Sequence, residues 1–143
     1  MKSPKLAPRR PAAVAALALT VGLVACGGSG NDEKAVKDRV NTFTDAMAAK
    51  DPNKVCASLS NEIKRRLTRT PSGGRGPKSC EAALRLTFIL SGNAFKSLAN
   101  VKVGDVKIDG QQASATISYR GRKERLGLAK QGGDWRISTL RLK

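Results

Sequence analysis

Residues 101–137 have the sequence VKVGDVKIDGQQASATISYRGRKERLGLAKQGGDWRI, and this stretch decides the fold. Apolar and polar side chains alternate along it, which is typical of strands with one buried face. Short polar segments at 109–110, 120–122 and 131–134 interrupt the alternation, and each contains a glycine suited to a hairpin turn. A further interruption at 104–105 predicts a bulge or bend in the first strand. The stretch therefore predicts four antiparallel strands joined by hairpins.

The residues before this stretch predict three helices. The first covers 32–50, and its apolar stripe consists of four side chains at helical spacing: Val36, Val40, Phe43 and Met47. The second covers 51–68 with a break near Ser60, and the third covers 80–90 and is expected to be well buried. Helices followed by hairpin-linked strands predict an α+β domain, with three N-terminal helices packed on a curved four-stranded antiparallel sheet.

The N-terminal residues have the features of an export signal. Basic residues at 2–10 precede an apolar segment at 12–25, which is too short to span a bilayer. The motif Leu23-Val24-Ala25-Cys26 resembles the lipobox of bacterial lipoproteins. That resemblance implies cleavage before the cysteine and acylation of its thiol. The alternative is a soluble secreted protein whose cysteine merely lies near the cut.

The lipobox resemblance divides the chain into three parts. Residues 1–25 are expected to be a lipoprotein signal peptide, and residues 26–31 a lipidated cysteine with a flexible tether. Residues 32–143 are enough for one domain with a modest core. The expected location is the extracytoplasmic face of the cell membrane, where acylated Cys26 supplies the contact with lipid.

Cysteine usage agrees with export. The chain has three cysteines. If Cys26 carries lipid, Cys56 and Cys80 remain, and a pair outside the cytoplasm favours a disulfide. A metal site built on this pair would lack ligands, because the chain has no histidine and no further cysteine. We therefore expect no metal and no cofactor.

The order of the predicted elements resembles the nuclear transport factor 2-like fold, also called cystatin-like. Three features within residues 34–142 carry the resemblance: the helix end Ala48-Ala49-Lys50-Asp51, the cysteine pair with Ser79-Cys80-Glu81, and the terminal Gly133-Asp134-Trp135-Arg136-Ile137. The resemblance implies a cone-shaped domain whose sheet curls around the helices and often leaves a pocket at its open end. It implies no particular activity, because the fold hosts enzymes and binding modules alike.

Few side chains could support catalysis inside such a cone. The chain has no histidine, and Asp45 is expected to face solvent. Tyr119 could donate a hydrogen bond to a ligand and Trp135 could stack on one, although the simpler interpretation places both in the core. We therefore expect a protein that is not an enzyme. The alternative is a small-molecule carrier or enzyme that uses the interior of the cone.

Charge is the remaining signal. The formal net charge is +16, which favours binding of anions. Basic residues cluster on the second predicted helix and around the second hairpin: Lys64, Arg65, Arg66 and Arg69, and Arg120, Arg122, Lys123 and Arg125. These clusters suit anionic lipid or cell-wall polymer, although a solvated face is the simpler interpretation. Nucleic acid is not expected as a partner, because export separates the chain from it and the basic runs lack interleaved aromatics.

Together these features predict a membrane-anchored lipoprotein on the extracytoplasmic side. We expect it to act as a non-catalytic binding or interaction module. The sequence does not indicate which small molecule or partner it binds.

Overall fold

The structure is a computed structural model that describes residues 29–69 and 76–140. The predicted signal peptide, Cys26 and the first part of the tether lie outside these residues. The described residues form four α-helices, a 3₁₀-helix and four strands: α1 (Ser29–Ala48), α2 (Pro52–Ser58), α3 (Asn61–Thr68), α4 (Cys80–Leu90), the 3₁₀-helix (Lys96–Asn100), β1 (Lys102–Asp109), β2 (Gln112–Tyr119), β3 (Arg122–Gln131) and β4 (Asp134–Leu140). None of the helices in these two ranges is long and apolar enough to cross a membrane.

The four strands form one antiparallel sheet in the order β1-β2-β3-β4. The register between β1 and β2 shifts between Val103 and Val106, where the sequence predicts a bulge. The turn between β2 and β3 consists of Arg120 and Gly121, with φ values of 48° and 74°. Two positive φ values match the twist of the flanking strands. The predicted fold class, α+β with N-terminal helices on a four-stranded antiparallel sheet, is confirmed.

The core lies between α1 and the inner face of the sheet. The predicted stripe of α1 is buried in full, whereas Asp45 on the opposite side of the helix is exposed, as expected. The inner face contributes buried side chains from three strands: Ala113, Ala115 and Ile117, Leu126 and Leu128, and Trp135 and Ile137. A helical stripe and a strand face thus meet and exclude water, which is the main source of stability in such a layer.

The second predicted helix is two helices, α2 and α3, because the chain pairs with the sheet at the break. The amide of Ser60 donates to the carbonyl of Ile137 at 2.8 Å, and Leu59 forms a parallel bridge with the same residue. The Ser60 hydroxyl then caps α3 by accepting from the Ile63 amide at 3.4 Å. The described part of the domain therefore has four α-helices before the sheet instead of three.

Two other helices differ from expectation in extent or burial. The first turn of α1 includes residues 29–31, the last part of the segment assigned to the tether. Helix α4 has the predicted bounds and its Ser79 cap, because the Ser79 hydroxyl accepts from the Ala82 amide at 3.1 Å. The expectation that α4 is well buried is wrong for one of its sides, where three large apolar residues are exposed: Leu86, Ile89 and Leu90.

The predicted disulfide is present between Cys56 on α2 and Cys80 at the start of α4. Both cysteines are buried in the core. The bond ties two helices whose connection includes the undescribed residues 70–75. The disulfide therefore holds the start of α4 against α2.

Removing this disulfide should lower the free energy of unfolding by about 3 kcal/mol, because the bond closes a loop in the unfolded chain. The two cysteines are 24 positions apart. The measurement is urea unfolding of the double variant Cys56→Ala/Cys80→Ala, monitored by the fluorescence of Trp135. Reduced wild-type protein is the control and should unfold near the midpoint of the variant. A variant with the midpoint of oxidised wild type would contradict the prediction.

Candidate functional site

Trp135 joins the start of β4 to the first turn of α1. Its indole N–H donates to Asp32 Oδ1 at 3.2 Å, and Lys130 Nζ donates to the same oxygen at 2.8 Å. The ammonium of Lys130 also lies 5.4 Å from the centre of the Trp135 ring, at cation–π distance. Trp135 is 3% exposed. It is an anchor between helix and sheet, as the simpler interpretation predicts.

Tyr119 lies at the other end of the sheet and is half-buried. Its hydroxyl is 2.8 Å from the hydroxyl of Ser97 on the 3₁₀-helix. In the sheet register Tyr119 is opposite Arg122, at the first residue of β3, whereas Trp135 is opposite Lys130, near its last. The structure therefore does not bring the two predicted pocket residues together.

One concavity of the described surface lies on the outer face of the sheet, away from the helices. Its volume is about 650 Å³, within the range of small-molecule sites. It is lined by hydroxyls, cations and carboxylates on three strands and the β1 bulge: Asp105, Ser114, Thr116, Lys123, Glu124, Arg125, Gly127 and Thr139. Gly127 keeps the floor open, since a Cβ there would lie 3.1 Å from Thr139 Cβ.

A second concavity of about 490 Å³ has Glu124 in common with the first and lies on the helix-facing side of the sheet end, where Tyr119 packs against the core. It lies at the β2–β3 turn and is lined by Tyr119, Arg120 and Arg122 besides that glutamate. We call these two concavities together the hairpin site. The four predicted hairpin cations all line it: Arg120, Arg122, Lys123 and Arg125.

Arg120 occupies a backbone conformation that disfavours it. Its φ of 48° is in the left-handed region, which costs a residue other than glycine roughly 1 kcal/mol. The guanidinium lies 5.4 Å from the centre of the neighbouring Tyr119 ring. The two-residue turn requires a positive φ at this position, so the conformation of Arg120 is explained by the hairpin.

The four hairpin cations differ in their ion-pair partners from the basic residues on α3 and at its C-terminal cap. The ion pairs found within 29–69 and 76–140 include none of the four hairpin cations. On α3, by contrast, Arg66 pairs with Glu62. Lys64 lies close enough to Glu81 to contribute to its lowered pKa, whose main causes are hydrogen bonds from its own amide and from Ser79. The hairpin cations are thus outside the ion pairs of the described residues, although Asp105 and Glu124 line the same site.

The hairpin site extends over both faces of the sheet end. Lys123 and Arg125 are on the outer face, whereas Tyr119 packs against the core and is on the inner face, where the fold resemblance implies a pocket. Sequence reasoning found its cations but not the concavities, because these depend on neighbouring strands. Ser114 and Thr116 alternate with the apolar residues along β2. This alternation is the signal in the sequence that indicates their position on the outer face of the sheet. The contribution of Asp105 and Thr139 depends on the bulge in β1 and on a register shift beside Gly127 in β3.

Solved structures that are similar to this chain include two natural proteins and one designed protein. No protein-family model and no curated protein matches the chain. A Campylobacter jejuni protein provisionally named an NTF2-like transpeptidase is 15% identical with a TM-score of 0.46, over 77% of this chain and 99% of that one. A Streptomyces avermitilis protein provisionally named a dehydratase of the NTF2-like family is 14% identical with a TM-score of 0.45, over 76% and 93%.

The third similar structure is a de novo designed protein with a curved β-sheet. It is 17% identical with a TM-score of 0.41, over 78% of this chain and 85% of the designed one. Proteins that share a fold differ widely in activity, so the hairpin site must be interpreted from its own residues.

Replacing Asp32 by Asn should destabilise the fold at neutral pH and have less effect in acid. The hydrogen bond from Lys130, followed by that from Trp135, lowers the Asp32 pKa below its ordinary value of 3.8. A carboxyl with a lowered folded pKa stabilises above its unfolded pKa, and this stabilisation is lost as pH falls through the folded pKa. Urea midpoints of wild type and Asp32→Asn should therefore differ at neutral pH and converge below 3.8.

The matched control is Asp45→Asn, which removes the same charge from the exposed side of α1. Its midpoint at neutral pH should stay close to that of wild type. If the two variants shift the midpoint equally, Asp32 has no special role in joining α1 to the sheet.

Proposed function

We propose that this chain is an NTF2-like lipoprotein, held by acylated Cys26 at the extracytoplasmic face of the cell membrane. In this proposal it is a non-catalytic module that binds a polyanion of the cell envelope at the hairpin site. The observation that carries the proposal is that four cations line two concavities at the β2–β3 hairpin, Lys123 and Arg125 on the outer face and Arg120 and Arg122 beside Tyr119. An anionic lipid headgroup and a cell-wall polymer share the chemistry that such a site would recognise.

The lipid anchor is supported by a sequence motif and by a structural feature. The lipobox motif supplies a cysteine for acylation, and the disulfide between Cys56 and Cys80 suits an oxidising compartment. Helix α1 begins only three residues after Cys26. Three residues reach at most about 11 Å, so an acylated Cys26 would hold the domain close to the bilayer surface.

A binding site at the surface is supported by the apolar packing of the domain interior. Aliphatic side chains fill the inner face of the sheet, and Ala115, Leu126 and Leu128 have no exposed surface. The Tyr119 hydroxyl is paired with Ser97, and Asp45 is exposed to solvent. Asp45 is thus not part of an interior pocket, and Tyr119 lines the second concavity of the hairpin site, which is open and charged.

The anchor is tested by metabolic labelling with a fatty acid. The wild-type chain should take up label and Cys26→Ser should not, because the acyl group is attached through the cysteine thiol. Cys80→Ala is the matched control, since it removes a cysteine and should keep the label. Label on Cys26→Ser, or none on wild type, would refute the anchor.

The hairpin site is tested by neutralising its cations. The variant Arg120→Gln/Arg122→Gln/Lys123→Gln/Arg125→Gln should bind a soluble polyglycerol phosphate at least about tenfold more weakly than wild type. Wild-type binding should also weaken steeply as salt is added. Vesicles containing phosphatidylglycerol, used in a parallel measurement, distinguish a lipid headgroup from a polymer as the source of the anion.

The control neutralises the same number of charges on α3, at Lys64, Arg65, Arg66 and Arg69. This variant should lose less affinity, because one of these cations is already paired with a carboxylate. An equal loss in both variants would show that net charge alone governs binding. Binding that does not respond to salt would contradict the proposal.

A further inference from the structure

Helix α4 presents a stripe of apolar side chains to solvent. Leu86, Ile89 and Leu90 are 53%, 76% and 77% exposed, and they are the large apolar residues exposed in the described part of the chain. Their spacing of three and four places them on one side of the helix. The other side of α4 buries Leu84 and Phe88 in the core. We call these three exposed residues the α4 stripe.

The surroundings of the α4 stripe are basic. Arg85 is exposed on the same helix, and Lys96 is exposed at the start of the 3₁₀-helix. Helix α3 packs against α4 and carries exposed Arg65. The sequence has no acidic residue between Glu81 and Asp105. The stripe therefore combines apolar side chains with neighbouring cations.

We infer that the α4 stripe docks on the anionic surface of the membrane that carries the protein. The three apolar side chains enter between lipid headgroups, while Arg85 and Lys96 contact the lipid phosphates. This combination is the one by which surface helices bind anionic bilayers. The inference rests on the proposed lipid anchor, and it concerns a different surface from the hairpin site.

Area and charge favour a bilayer over a second copy of the chain. The α4 stripe exposes on the order of 300 Å² of apolar surface. A stable protein interface buries about 800 Å² on each partner, so the stripe alone is too small. A two-fold contact would also bring Arg85 and Lys96 of both copies together, and like charges across an interface are unfavourable. An anionic bilayer offers the opposite charge.

The docking contact would give the anchored domain a defined orientation. One acylated cysteine fixes a single point of the domain and leaves it free to rotate about that point. A second contact removes this freedom. The short tether keeps the local concentration of the stripe at the membrane high, so a weak contact is sufficient.

The test uses the acylated protein reconstituted in vesicles, with an environment-sensitive dye on Leu90→Cys. Vesicles of phosphatidylcholine are compared with vesicles that also contain phosphatidylglycerol, and both carry a quencher in the acyl region. In anionic vesicles the dye at 90 should be quenched severalfold more than the same dye on Asp45→Cys, the matched control. Asp45 is an equally exposed position on α1.

A second pair of variants tests the contribution of charge. In the Leu90→Cys protein, Arg85→Gln/Lys96→Gln should reduce quenching severalfold, whereas Lys34→Gln/Lys107→Gln should leave it unchanged. Both pairs remove two exposed positive charges, and only the first pair lies on α4 and in the segment that follows it. Equal effects of the two pairs would refute a specific contact of the stripe with lipid.

The outcomes separate the inference from the proposed function. Protein absent from the vesicle fraction would refute the anchor. Protein in that fraction with equal quenching at 90 and 45 would refute docking and leave the anchor intact. A dye signal at 90 that depends on protein density and not on anionic lipid would show that a second copy covers the stripe, which also overturns the inference.

Discussion

The contact between α1 and the inner face of the sheet is the constraint on which the rest of this structure depends. Val36, Val40, Phe43 and Met47 are buried on one side of a helix, and they meet the inward side chains of β2, β3 and β4. Burying each such side chain contributes about 1.5–3 kcal/mol, so this layer outweighs any single polar contact. The interior is thereby committed to apolar packing, and polar chemistry is left to the outer surfaces.

The other contacts orient elements around that layer. Asp32 accepts hydrogen bonds from Lys130 and Trp135 and joins the first turn of α1 to the sheet. The disulfide secures α4, and the pairing of Ser60 with Ile137 covers the edge of β4. Among the described residues the helices cover the inner face, so the outer face, with the concavity lined by Lys123 and Arg125, and one side of α4 are exposed. These surfaces are the ones to which we assign binding.

The features that the sequence predicts correctly depend on local physical chemistry. The α1 stripe follows from helical spacing, and the caps Asp51 and Ser79 follow from side chains that accept backbone N–H bonds near them. The strand turns follow from glycines with positive φ. The features missed depend on distant residues: the break at Ser60 needs Ile137, and the concavities need three strands in register.

The sequence by itself determined the α+β class, the strand order, the cysteine pair and the positions of both basic clusters. It did so because periodicity, turn chemistry and residue counts act over a few positions of the chain. The tertiary structure was needed to show that Tyr119 on β2 and Trp135 on β4 lie beside opposite ends of β3. It was also needed to show that the hairpin cations line open concavities. The exposure of Leu86, Ile89 and Leu90 likewise follows from the tertiary structure. Exposure is a property of what packs against a residue, and the partners of these residues are distant in the chain.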